Sequence, residues 1–178
     1  SLGFIEGFYY RPRIDKELLT ELNEGLICTT ACIAGEVPAM LAKYDIEAAE
    51  RAVDDFVKIF GPERFYLEIQ QHEGDEYPHV RPMMIDLARR KGVGLVATND
   101  VHFLDADDFE AHNALCCIST GKKVTDPDRM TYPPDVYLKS PDQMRRMFPD
   151  APDACDNTLA IAARCNVELD LKSRHAPV

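Results

Sequence analysis

Asp100 and His102 are the residues whose types and spacing point most directly to chemistry. They follow an apolar run over residues 95–98 that is typical of a short buried strand. Side chains two positions apart in an extended segment point the same way, so a carboxylate and an imidazole would face one point at the rim of a sheet. Together they suit a divalent metal ion. The alternative is a turn in which the aspartate accepts hydrogen bonds from nearby backbone amides.

Two earlier segments also place reactive side chains where an apolar run ends. The run over residues 26–30 is followed by Cys32, and the run over residues 65–69 contains Glu68 and is followed by His72. A thiolate, a carboxylate and an imidazole can each bind a metal ion. Because a small buried thiol is the commoner fate of a free cysteine, spacing alone does not assign Cys32 a function.

Helical segments separate these apolar runs. Residues 45–60 and 77–91 carry apolar residues at helical spacing, with charged residues on the opposite face. Strands that alternate with helices predict an α/β fold with a parallel sheet and crossover helices. In such sheets the chemistry lies at the carboxyl ends of the strands. The sequence therefore predicts that the reactive residues after the strands gather at one edge of the sheet.

Shorter elements flank this core. The patterns predict short helices over residues 15–25 and 38–43, helices over residues 106–118 and 153–165, a strand near residues 136–138, and a helix that begins with the capping box at residues 140–143. Residues 120–139 contain three prolines and are predicted to form a long loop. In the last helix, Leu159, Ala162 and either Ala163 or Cys165 are expected to face inward.

Composition limits the classes of function. The chain has 178 residues, of which 46% are hydrophobic and 29% charged, as expected for a soluble globular domain. Its net charge of −11 argues against a protein that binds nucleic acid through its own basic surface. Binding of DNA would need a metal ion or a neighbouring domain. The sequence predicts no membrane-spanning segment.

The six cysteines have neither disulfide nor zinc-finger spacing, which predicts reduced thiols and a cytoplasmic location. The chain begins without an initiator methionine, and its first residues resemble the end of an element already under way. We therefore expect it to be a fragment of a longer protein.

Several motifs resemble the bacterial replicative DNA polymerase III alpha subunit family. They lie at residues 7–15 (GFYYRPRID), 31–36 (ACIAGE), 65–70 (FYLEIQ), 97–102 (ATNDVH), 120–122 (TGK), 137–140 (YLKS) and 157–158 (NT). The similarity runs over nearly the whole chain and keeps the order and spacing of the motifs. It implies a PHP (polymerase and histidinol phosphatase) domain, whose fold is a distorted seven-stranded β/α barrel. Residues 1–119 would be the later part of this barrel, and residues 120–178 a loop and small helical extension leading towards the polymerase palm and thumb.

The resemblance also implies a metal site that holds zinc or manganese. Cys32 matches a Cys or His ligand after a middle strand, and Asp100 with His102 matches the final Asp-x-His pair of ligands. The remaining ligands, including a His-x-His, would come from a preceding stretch. Glu68 and His72 do not match the main ligands. They are expected either to contact and orient the ligands or to have a structural role. No residue of this chain matches a catalytic residue of the polymerase palm, where magnesium would act.

The parent protein implied by the resemblance is a DNA-directed DNA polymerase, a nucleotidyltransferase that uses DNA and dNTPs beside other replisome subunits. Its PHP domain would be a metal-dependent phosphoesterase suited to 3′–5′ exonuclease proofreading. Alternatively, that domain would be catalytically inactive, stabilising the polymerase and docking a separate proofreading exonuclease subunit. A free-standing PHP phosphatase, such as a histidinol-phosphate hydrolase, is disfavoured because it has no use for residues 120–178. The isolated chain is expected to be inactive.

Overall fold

The computed structural model describes residues 2–173. The elements follow one another as α1 (Leu2–Ile5), α2 (Lys16–Glu21), β1 (Cys28–Thr29), α3 (Glu36–Ala42), α4 (Ile46–Phe60), β2 (Phe65–Ile69), α5 (Val80–Lys91), β3 (Gly94–Ala97), a 3₁₀ turn (Ala106–Asp108), α6 (Phe109–Thr120), α7 (Pro141–Met147) and α8 (Pro152–Arg164). The alternation of strands and helices predicted for the first hundred residues is confirmed.

The sheet is parallel throughout, with β2 in the middle and the order β1-β2-β3. Strand β1 pairs Cys28 with Phe65, and β3 runs beside β2 from Gly94 to Ala97. Strand β1 is shorter than the predicted strand at residues 26–30. The three strands end at the same edge because each crossover returns the chain to the same side.

Helix α4 forms for reasons that are local to its sequence. The side chain of Asp45 accepts a hydrogen bond from the backbone N–H of Ala48 at 3.0 Å, which caps the first turn. Gly61, with φ of 75°, ends the helix in a conformation that favours glycine. Between them, Val53 and Phe60 lie on a buried face that packs towards the sheet.

The hydrophobic core is built around β2. Phe65, Leu67 and Ile69 are almost completely buried and belong to one cluster with residues of α3, α4 and α5. Phe148 and residues of α8 belong to the same cluster, and α8 packs against β3. The Asn157 side chain donates a hydrogen bond to the Leu95 carbonyl oxygen at 2.7 Å. Residues on both sides of the predicted domain boundary at residue 119 therefore share one core, while the boundary itself stays a prediction.

The inward face of α8 differs from the prediction. Leu159 is 68% exposed, and Ala162, Ala163 and Cys165 are also exposed. Ala154 and Cys155 are buried instead. These small side chains, near the beginning of the helix, allow its backbone to approach β3 closely, and this approach sets the rotation of the helix.

Two other predicted elements are shorter than expected. Helix α5 begins at Val80 rather than at Tyr77, because the Asp75 side chain accepts a hydrogen bond from the Tyr77 amide at 2.8 Å and holds a turn there. The predicted strand at residues 136–138 is a single parallel bridge between Phe103 and Tyr137. Within residues 2–173, no helix is long and apolar enough to cross a membrane.

Candidate functional site

A cavity of about 290 Å³ lies at the carboxyl ends of the three strands. Its lining includes Cys32 after β1, Glu68 and His72 at the end of β2, and Asp100 after β3. The parallel sheet thus brings four of the five residues singled out from the sequence to one place. His102, the fifth, lies outside the lining of this cavity.

Cys32 lies in a tight loop between β1 and α3. The amide of Gly35 donates a hydrogen bond to the Cys32 carbonyl oxygen at 2.8 Å, which closes the turn. A Cβ atom at Gly35 would lie 1.9 Å from the carbonyl oxygen of Thr30, so only glycine fits this close approach. The half-buried Cys32 thiol is therefore held at the cavity by a backbone turn that the sequence encodes through Gly35.

Glu68 connects all three strands through its carboxylate. One oxygen accepts a hydrogen bond from the Thr29 hydroxyl at 2.7 Å, and the other accepts hydrogen bonds from the Thr98 hydroxyl at 2.5 Å and the Gln70 amide at 3.2 Å. The Thr30 hydroxyl also accepts a hydrogen bond from the Glu68 amide at 2.8 Å. This carboxylate is engaged in holding strand ends together.

His72 lies between the main cavity and a second one of about 540 Å³, and it lines both. Its Nδ1 atom is 3.7 Å from an Asp135 carboxylate oxygen, which is beyond hydrogen-bond distance for nitrogen and oxygen. Both ring nitrogens are buried, and neither has a hydrogen-bond partner among residues 2–173. Both ring nitrogens of His72 are therefore available to bind a ligand in either cavity.

The chain turns sharply at Asp100. This residue has φ of 46°, in the left-handed region, and β3 has already ended at Ala97. The prediction that residues 100–102 are extended is therefore wrong. Without an extended backbone, there is no reason for the Asp100 and His102 side chains to point in the same direction. Asp100 lines the cavity, whereas His102 packs elsewhere.

His102 belongs to an aromatic cluster on the other side of this turn. Its ring centre lies 4.1 Å from that of Tyr132 and 5.7 Å from that of His112. Its Nδ1 atom lies 2.6 Å from the Asp100 carbonyl oxygen, so this nitrogen carries the proton and donates. In this arrangement His102 fixes the turn through its own ring.

The donor types at the cavity suit zinc or manganese, but their number and positions do not make a site. Thiolate, carboxylate and imidazole are all metal ligands. In the part of the chain that the structure describes, however, no group of three or more His, Cys, Asp and Glu side chains is placed to hold a metal ion. Cys32 and Asp100 share the cavity, but His102 is turned away. The assignment of Cys32, Asp100 and His102 as ligands therefore stays a prediction.

The cavity lining carries charges of both signs: several carboxylates, and Arg81, which forms an ion pair with Asp150. The loop after β2 carries Glu73, Asp75 and Glu76, all exposed, and residues 70–79 include no Lys or Arg. The negative charge of Glu76 raises the pKa of Tyr77, which also lines the cavity. At neutral pH this phenol stays protonated and does not serve as a base.

Sequence reasoning missed the polar residues that organise the site. Thr98 and Gln70 are partners of Glu68, and Asp135 and Lys139 contact the residues beside the cavity from a proline-rich segment. Thr98 was detectable in principle, because it precedes Asp100 at the end of a predicted strand. Asp135 and Lys139 lie far along the chain, and only their i,i+4 spacing hinted at a pair.

Comparison with known proteins agrees with the resemblance seen in the motifs. The PHP domain family matches residues 1–72. DNA polymerase III subunit alpha of Treponema pallidum is 42% identical over 170 residues, covering 95% of this chain. The subunits of Borreliella burgdorferi and Thermus aquaticus are 40% and 38% identical over 93% and 96% of the chain. The resemblance to DNA polymerase III subunit alpha is confirmed.

The chain spans about 14% of the length of these DNA polymerase III alpha subunits. The similarity therefore concerns one segment of each relative. The PHP match ends at residue 72, in the loop that follows β2, and includes Cys32, Glu68 and His72. Asp100 and His102 lie outside that match but inside the nearly full-length similarity to the three polymerase subunits.

Proposed function

We propose that this chain acts in bacterial DNA replication as a segment of a DNA-directed DNA polymerase. The observation that carries the proposal is the 42% identity to a DNA polymerase III alpha subunit over 95% of the chain. DNA, dNTPs and other replisome subunits would be partners of the whole polymerase, in the cytoplasm. The net charge of −11 agrees with a segment that does not itself bind the phosphate backbone.

The same proposal gives the fold a larger context. The parallel sheet and its crossover helices would be part of a distorted PHP barrel, in which further strands pair with the free edge of β1. Several large apolar side chains among residues 4–26 are exposed, and apolar surface of this kind is often covered by neighbouring structure. They include Phe4, Ile5, Phe8, Tyr10, Ile14 and Leu26.

For the PHP part, one candidate role is a structural and docking module, which needs no complete metal site. Three ligands or more are needed to close a metal site, and only Cys32 and Asp100 of the predicted ligands share the cavity. In this role the segment would stabilise the polymerase and help to dock a separate proofreading exonuclease subunit.

The hydrolytic alternative is a PHP phosphoesterase with 3′–5′ exonuclease activity. Two observations favour it: the shared cavity of Cys32 and Asp100, and the spare ring nitrogens of His72 beside it. This alternative requires additional ligands from beyond the described residues and a rotation of His102 away from Tyr132.

The test uses the longest polypeptide that the gene encodes. We expect it to extend a primed DNA template with dNTPs. Purified protein that extends no primer, under conditions in which a known alpha subunit does, would refute the proposal.

Metal content by mass spectrometry and hydrolysis of a 3′-recessed DNA separate the two PHP roles. The docking role predicts no bound zinc or manganese, no cleavage, and recovery of an exonuclease subunit in a pull-down. The hydrolytic role predicts bound metal and cleavage that Asp100→Ala abolishes. Asp107→Ala is the matched control, because Asp107 is exposed and lies outside the cavity.

A further inference from the structure

Asp100 has a backbone conformation that needs support from its surroundings. Its φ of 46° lies in the left-handed region, which residues other than glycine adopt less readily. Such conformations persist where neighbouring structure holds them, and they occur often at functional sites. The residues on either side of Asp100 show what holds this one.

Asn99, immediately before Asp100, is anchored by a distant segment. Only 5% of Asn99 is exposed. Its side-chain amide donates hydrogen bonds to the carbonyl oxygens of Asp135 at 2.9 Å and Tyr137 at 2.8 Å. Its side-chain oxygen accepts a hydrogen bond from the Lys139 ammonium group at 3.1 Å. All of these partners lie in residues 135–139.

Lys139 is a buried cation, with only 7% of its side chain exposed. Besides Asn99, its ammonium group contacts the Asp135 carbonyl oxygen and lies 3.5 Å from an Asp135 carboxylate oxygen. It also lies 4.5 Å from the centre of the Tyr137 ring. The ammonium group has three protons to donate, and these contacts provide acceptors for them. The position of the Lys139 ammonium group beside Asn99 is therefore fixed.

The chain after Asp100 is held by the same segment. The His102 amide donates a hydrogen bond to the Val136 carbonyl oxygen at 2.8 Å, and the Leu138 amide donates to the Phe103 carbonyl oxygen at 3.1 Å. Asp100 therefore lies in a turn whose two ends are both bound to residues 135–139, and its carbonyl oxygen accepts a hydrogen bond from the His102 ring.

We propose that Lys139, acting through Asn99, is a positioning residue for Asp100. The buried ammonium group orients the Asn99 amide, Asn99 and the His102 amide fix both ends of the turn, and the left-handed Asp100 lines the cavity as a result. This inference rests on the proposed function in one respect: the position of Asp100 affects activity only if the cavity that it lines binds a ligand. A purely stabilising Lys139 would support the fold without affecting the conformation of Asp100.

The variants must separate the effect of leaving a charge unpaired from the effect of losing the contact that positions Asn99. Lys139→Met removes the ammonium group and leaves the Asp135 carboxylate without its closest cation. The double variant Asp135→Asn/Lys139→Met removes both charges and keeps a side-chain oxygen for the Glu73 amide, which donates to Asp135 at 3.3 Å. The matched control is Asp128→Asn/Lys122→Met, because that ion pair, at 2.5 Å, is exposed and lies away from the turn.

The first measurement needs no ligand. In NMR spectra of the 178-residue chain, the three-bond coupling between the amide and α protons of Asp100 reports φ, and hydrogen exchange of the His102 amide reports its bond to Val136. We expect the double variant to change the Asp100 coupling and to speed His102 exchange about tenfold, as loss of a supporting hydrogen bond would. The control pair should change neither. A destabilised double variant with the wild-type Asp100 coupling and His102 exchange would overturn the inference.

The second measurement is manganese affinity of the full-length polypeptide. If the wild type binds manganese, the double variant should bind it about 10- to 100-fold more weakly, as is usual when residues supporting a ligand are lost. Equal affinity would overturn the inference while leaving the metal site intact. If the wild type binds no manganese, the Asp100 coupling alone decides whether Lys139 positions that residue.

Discussion

The carboxylate of Glu68 should be worth more to stability than any exposed acidic residue of this chain. It accepts hydrogen bonds from Thr29 of β1, from Thr98 after β3 and from Gln70. Glu68→Ala removes all three and leaves the two hydroxyl groups and the amide without this partner. The three strand ends would then depend on backbone pairing and on two remaining bonds, from the Gln70 side chain to the Thr98 hydroxyl and from the residue-68 amide to the Thr30 hydroxyl.

The size of the effect follows from these contacts. A hydrogen bond to a charged group contributes about 1.5–3 kcal/mol when it is buried. Glu68 is only half-buried, so water replaces part of each lost bond, and about 1 kcal/mol per bond is a fair discount. Glu68→Ala should thus lower the free energy of unfolding by about 3 kcal/mol. Glu68→Gln keeps an acceptor oxygen and should cost about 1 kcal/mol.

Urea unfolding at pH 7 measures this effect. With a slope of about 2 kcal/mol per molar urea, a loss of 3 kcal/mol moves the midpoint down by about 1.5 M. Glu47→Ala is the control, since that side chain is 91% exposed and makes only a helical ion pair with Arg51. Its midpoint should stay within about 0.2 M of the wild type.

A double-mutant cycle with Thr98→Val tests the mechanism directly. If the 2.5 Å contact with Thr98 carries part of the stability, the two substitutions together should cost less than their sum. A shift of less than about 0.5 M for Glu68→Ala, with strictly additive costs, would refute the reasoning. Glu68 would then be available as a ligand instead of a connection between strands.

Three further predictions concern stability. Gly35→Ala should cost at least about 2 kcal/mol in thermal unfolding, because its Cβ would lie 1.9 Å from the Thr30 carbonyl oxygen; an unchanged melting temperature would contradict this close approach. Burial raises the pKa of the Cys28 thiol above its ordinary value near 9, so the folded state favours the protonated form. The contribution of this thiol to the free energy of unfolding should therefore be constant below pH 9 and should fall as the pH rises further. Urea unfolding of the wild type and of Cys28→Val across this pH range measures the effect, and the variant should lack this part of the fall. Phe148→Ala should cost about 3–5 kcal/mol, since Phe148 is fully buried; a loss below about 1 kcal/mol would show that the core does not extend to the C-terminal segment.

The elements that the sequence predicted well are those encoded by neighbouring residues. Strand β2 has the predicted bounds, Phe65–Ile69, and α4 begins after Asp45 and ends before Gly61, as the cap and the glycine indicate. These signals act over a few positions and do not depend on the rest of the fold. The order of strands and helices then predicted a parallel sheet, and with it the edge where Cys32 and Asp100 meet.

The orientation of side chains beyond the strand ends was not predictable in the same way. Asp100 and His102 would face one point only if the backbone stayed extended, and it turns at Asp100. The turn is held by Asn99 contacts to residues 36 and 38 positions later in the chain. No local pattern reports such contacts, and the helical period failed for Leu159 for a similar reason, because packing against β3 set the rotation of α8.

This difference bears on how far a family motif determines a site. The motif at residues 97–102 aligns Asp100 and His102 with a pair of ligands, but alignment fixes only their order along the chain. Whether the pair acts together depends on two contacts outside the motif: the Lys139 bond to Asn99, and the packing of His102 on Tyr132. Freeing His102 for another partner requires the loss of its packing on Tyr132 and of its ring hydrogen bond to the Asp100 carbonyl oxygen. Loss of the Lys139 bond to Asn99 would, on the proposal above, displace Asp100. The two residues of the motif are joined by one hydrogen bond but depend on different contacts outside the motif, so substitutions at Tyr132 and Lys139 should affect the cavity in different ways.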